Sequence, residues 1–73
     1  MLEFDRTSII GEVVAMVPQV IPMFEAIGMH CFICAAAAGE TIEEACMVHD
    51  VDADAFLERL NAVVAQLEAE ANA

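Results

Sequence analysis

The sequence predicts an all-α fold, a compact bundle of about five short helices in a single domain. Three observations lead there. Apolar residues recur at helical spacing in several segments, most clearly Phe56, Leu57, Leu60, Val63, Val64 and Leu67 over three turns. Helix start and stop signals punctuate the chain at short intervals. The apolar–polar alternation of a half-buried strand is absent throughout. Seventy-three residues make one domain, and no internal repeat or low-complexity linker divides it.

Residues 1–7 read as a lead-in. Ser8 is the expected N-cap of a first helix whose apolar face is Ile10, Val13, Val14 and Val17. Pro18 ends it, because the residue before a proline is pushed out of helical geometry. A second helix runs from Gln19 to Ile27 with Val20, Met23, Phe24 and Ile27 on one face, and Pro22 is tolerable only in its first turn. Gly28 suits the left-handed position that closes a helix. A short third helix starts at or near Cys31, runs through Ala35-Ala36-Ala37-Ala38 and stops at Gly39. Thr41 opens the fourth. Thr41-Ile42-Glu43-Glu44 is a capping box, and Ile42, Ala45, Cys46 and His49 share a face. Asp52 caps the last helix, with Val51 and Phe56 placed as a hydrophobic staple. Glu58, Arg59, Gln66 and Glu68 face away from its apolar stripe, and residues 69–73 form a fraying tail.

Charge excludes some functions. Thirteen acidic residues stand against two arginines, for a formal net charge of −11. Nucleic acid is therefore an unsuitable partner, since phosphate binding needs clustered Lys and Arg, and an anionic membrane surface is disfavoured for the same reason. No targeting signal or membrane-length apolar run is present in these residues, so a cytoplasmic location is expected. Apolar residues make up 60% of the chain, above the roughly 45–50% of a typical soluble domain. Either the many alanines account for the excess or a second chain covers an apolar face, which makes a homodimer or other protein partner a standing expectation.

The chemistry centres on Gly28-Met29-His30-Cys31-Phe32-Ile33-Cys34. In a reducing compartment a C-x-x-C is more often catalytic, redox-sensing or metal-binding than a staple. A disulfide closing so short a loop is worth about 2 kcal/mol, against about 4 for a loop of tens of residues. The spacing thus suits chemistry better than architecture. A helix start at Cys31 and an imidazolium at His30 would both stabilise a thiolate. Cys31 is then the attacking thiol, Cys34 the resolving one and His30 the tuning residue. Two alternatives stay open. A metal or iron–sulfur site would draw on Cys31, Cys34, Cys46 and His49, or on C-x-x-C pairs from two chains. A docking domain would leave the cysteines incidental. Cys46 by itself reads most simply as a small buried apolar residue, and His49 as a C-terminal helix residue suited to the dipole. No resident cofactor is expected, and no serine–histidine pair or phosphate-cradling glycine loop is present.

The chain resembles the hybrid-cluster-protein-associated redox disulfide domain, part of a wider group of small helical domains of unknown function. The resemblance is carried by Ile10-Gly11-Glu12-Val13-Val14, Pro18-Gln19-Val20-Ile21-Pro22, the Gly28–Cys34 stretch, Gly39 to Cys46, and Val48 to Asp52 with Leu60-Asn61. It spans about residues 4–62. Family members commonly have glycine where this chain has Ile33 and proline where it has Ala35. The resemblance implies a compact helical domain, Cys31 and Cys34 as the redox pair, and a link to hybrid cluster protein as partner.

Overall fold

Pro18 and Gly28 keep the early helices short. The computed structural model describes residues 2–29 and 38–71. Helix α1 covers Ile10–Met16, with Ile10 and Val13 buried. Its amide ladder stops at Val17, ahead of Pro18. Pro18–Val20 form one 3-10 turn, and α2 follows at Ile21–Ala26 with Pro22 in its first turn. Helix α3 spans Ile42–Val48, and α4 spans Ala53–Ala71. The chain is all-α. Among the described residues there are four α-helices and no strand, rather than five helices. The helix expected from Cys31 to Ala38 falls mostly outside the described residues.

Two of the expected caps are present and one is not. Thr41 Oγ1 accepts from the Glu44 amide at 3.1 Å while Glu44 Oε1 accepts from the Thr41 amide at 3.0 Å, a complete capping box. Asp52 Oδ1 accepts from the amides of Asp54 and Ala55 at 3.0 and 3.3 Å. Ser8, however, does not cap α1. The N-cap is Ile9, without a side-chain bond. The reason is a backbone bridge between Ile9 and Thr41. It lets the Glu40 carbonyl take the Ile10 amide at 2.9 Å, while the Ser8 carbonyl takes the Ile42 amide at 3.0 Å. The Ser8 hydroxyl turns the other way and accepts from the Asp5 amide at 2.9 Å.

The turn from α3 to α4 closes without glycine. The Val51 amide donates to the Cys46 carbonyl at 2.8 Å and the Asp50 amide to the Met47 carbonyl at 3.4 Å, with Asp50 at φ 55°. This is the paired bonding of a Schellman motif, with a residue in left-handed geometry just past the helix. Aspartate is among the few non-glycine residues that visit that geometry routinely.

The core gathers one face from every element. Val20 precedes α2, Phe24 lies on α2, Ile42 on α3, and Phe56, Leu60 and Val64 on α4; all are essentially inaccessible. The Phe24 and Phe56 rings meet at 5.2 Å with a 54° tilt, within the favourable range for aromatic pairs. Val63, expected on that apolar face, is instead 37% exposed and lines an open groove beside Met23 and Ile27. Glu68, expected to face away, is half-buried and accepts the Leu2 amide at 2.9 Å. The helix also continues to Ala71, where a fraying tail was expected from residue 69, and Gln66 bonds Glu70 one turn on. The radius of gyration is 11.7 Å, against about 11 Å for a compact chain of this length. Among the described residues no helix is long and apolar enough to cross a membrane.

Candidate functional site

His30, Cys31 and Cys34 lie outside the described residues, so the site is defined here by what flanks it. On the upstream side, α2 closes by three amide bonds, from Ile27 and Met29 to the Phe24 carbonyl and from Gly28 to the Glu25 carbonyl. Met29 is buried in the core. Gly28 sits at φ 110°, a conformation that only glycine adopts readily. A Cβ there would also stand 2.9 Å from His49 Nδ1 and 3.2 Å from Cε1. The His49 ring therefore lies directly over the turn that leads into the cysteine pair. On the downstream side, a Cβ on Gly11 would stand 2.7 Å from the Ala38 carbonyl oxygen. Gly11 thus lets α1 and the chain at Ala38 meet backbone to backbone. The described residues on either side, Met29 and Ala38, are buried and half-buried respectively.

Cys46 and His49 are the two remaining candidate ligands. They lie three residues apart on the buried side of α3. Cys46 is 1% exposed and belongs to the apolar core, as its helical spacing predicted. Burial pushes its thiol pKa up. Asp52 adds to that push, and Arg6 opposes it. A thiol held protonated is a poor nucleophile and a poor metal ligand. His49 is half-buried and ends α3, its amide bonded to the Ala45 carbonyl at 3.1 Å. Among the described residues no three His, Cys, Asp or Glu side chains converge as a metal site would require.

The sequence reading missed several residues that hold this frame. Asn61, midway along α4, takes the Phe4 amide on Oδ1 at 2.8 Å and gives Nδ2 to the Phe4 carbonyl at 3.0 Å. That pairing seats the Phe4 side chain in the core, so the lead-in is a packed part of the fold. Its signal was an amide residue inside an otherwise apolar helical stripe, where asparagine is a weak helix former. Arg6 bridges α3 and α4, with Nη1 2.8 Å from Glu43 Oε2 and Nη2 2.9 Å from Asp54 Oδ1. Hydrogen bonding to Asp54 and then to Glu43 raises its pKa.

Comparison with known proteins fits this architecture. A family model described as a domain of unknown function, DUF1858, matches residues 4–57. The chain belongs to the DUF1858 family. The match begins at the buried Phe4 and ends on α4 at Leu57, and so takes in the bridge, the capping box and the cysteine pair. A solution structure of a small protein from Clostridium thermocellum, a structural-genomics target, is similar at 37% identity. Its TM-score is 0.78, over 93% of this chain and 97% of that one. No curated protein matches. This DUF1858 domain is therefore placed by fold and family.

Proposed function

We propose that this DUF1858 domain is a small thiol–disulfide redox module whose working pair is Cys31 and Cys34, tuned by His30, in the cytoplasm. What supports this reading is the contrast between cysteines. Cys46 is withdrawn into the core with a raised pKa, while in sequence the C-x-x-C falls between two anchored points, Gly28 under His49 and Ala38 against Gly11. In the proposed exchange the Cys31 thiolate attacks one sulfur of a partner disulfide and releases the other as a thiol. Cys34 then attacks the mixed disulfide. The module ends oxidised by two electrons, and the partner leaves as a dithiol. The family resemblance supports hybrid cluster protein as that partner, and the excess of apolar residues supports a homodimer as the resting form.

A redox titration against glutathione, read by thiol trapping and mass spectrometry with metal content measured on the same sample, tests the reading. The expected result is one reversible two-electron couple linking Cys31 to Cys34 in metal-free protein. Cys34→Ser should trap the mixed disulfide, and Cys31→Ser should abolish exchange. Stoichiometric zinc or iron would transfer the pair to a metal site, and thiols that never pair would leave a docking domain.

A further inference from the structure

A groove of about 430 Å³ runs between the end of α2 and the middle of α4. That volume lies within the roughly 300–1,000 Å³ of small-molecule sites. Met23 and Ile27 line it from α2 and its end, the buried Phe56 and the half-open Val63 line it from α4, and two alanines complete the apolar lining. The remaining lining residue is Arg59.

Arg59 stands out electrostatically. Of the chain's two cations, Arg6 is held by two carboxylates. Arg59 is exposed and forms no ion pair among the described residues, despite thirteen acidic side chains in the chain. Residues 30–37 and 72–73 contain no acidic side chain that could engage it. An anion approaching a molecule of net charge −11 meets repulsion over most of its surface. At Arg59 it meets an unengaged guanidinium, whose planar donors match a carboxylate. The apolar trough beside it accepts a hydrocarbon body.

We propose that this groove binds a small amphipathic monocarboxylate, its alkyl chain over Phe56 between Met23 and Val63 and its carboxylate on Arg59. The test is an amide-resolved NMR titration with octanoate, octan-1-ol and octylammonium, on wild type and on Arg59→Gln. The expected result is saturable octanoate binding with shifts centred on Met23, Ile27 and Val63. Octanol should bind at least tenfold more weakly, and octylammonium should not saturate. Arg59→Gln should lower octanoate affinity at least tenfold and leave octanol unchanged. Equal octanoate affinity in the variant, shifts spread over the whole chain, or no saturation would overturn the proposal. So would groove amides that shift with protein concentration alone, which would make the face a self-association surface.

Discussion

At the residue scale, the side chains that matter most are those with two tasks. Asn61 satisfies both polar groups of Phe4 with one amide. Asn61→Ala leaves that backbone amide and carbonyl without partners near the core, at a cost of about 1–3 kcal/mol. Chemical denaturation should show the loss, and the Phe4 ring signals should lose their buried dispersion. An unchanged midpoint would mean that Phe4 is held by its ring alone. Cys46 combines packing with a suppressed thiolate. Under native conditions it should alkylate far more slowly than in denaturant, as mass spectrometry of peptides can read. Cys46→Ala should be tolerated better than Cys46→Ser, since a buried hydroxyl without a partner costs about 1–3 kcal/mol. Fast native labelling of Cys46 would contradict its place in the core.

At the element scale, much of the fold was legible and the losses have physical causes. The α3 capping box, the Asp52 cap, the stop before Pro18 and the closing role of Gly28 follow from local chemistry, and local chemistry is written in adjacent residues. The Ile9–Thr41 bridge joins residues far apart in sequence, so nothing beside Ser8 announced that it would lose the cap. The turn after α3 uses Asp50 in place of glycine, and so carried no stop signal. Of the candidate site, sequence could name the cysteines and place Cys46 on a buried face; the His49 ring over Gly28 needed three dimensions. Thr41→Ala removes half of the capping box and should cost about 1 kcal/mol. For a domain of this size that lowers Tm by roughly 4–8 °C. The same box has a pH signature. The Thr41 amide and hydroxyl hold Glu44 below its ordinary 4.5, and the Thr7 hydroxyl and amide do the same for Asp5 below 3.8. Both carboxylates bind protons less readily folded than unfolded. Their stabilisation is therefore full above those ordinary values and disappears as pH falls through the lower folded ones. Glu44→Gln removes the titrating group and should flatten the acid limb of the stability curve, and an acid limb identical to wild type would assign it to other groups.

At the scale of the whole molecule, the dominant quantity is the charge of −11 on a body with an 11.7 Å radius of gyration. At about 0.01 M salt the screening length is roughly 30 Å, longer than that radius, so the carboxylates act on one another across the molecule. At about 1 M it shrinks to roughly 3 Å and only adjacent charges interact. Among the described residues the attractive pairs that salt would weaken are two and exposed, Arg6 with Glu43 and with Asp54. Exposed pairs of that kind contribute little. Repulsion is spread over many more groups and is relieved when the chain expands on unfolding. Screening should therefore stabilise the fold, so that the thermal midpoint rises from 0.01 M to 0.5 M sodium chloride at pH 7, where the carboxylates are ionised. Arg6→Gln separates the two contributions. It removes the attractive pairs and leaves the repulsion, so its midpoint should rise more steeply with salt than that of wild type. A midpoint that falls with salt in wild type and stays level in the variant would show instead that the Arg6 bridge between α3 and α4 outweighs the distributed repulsion.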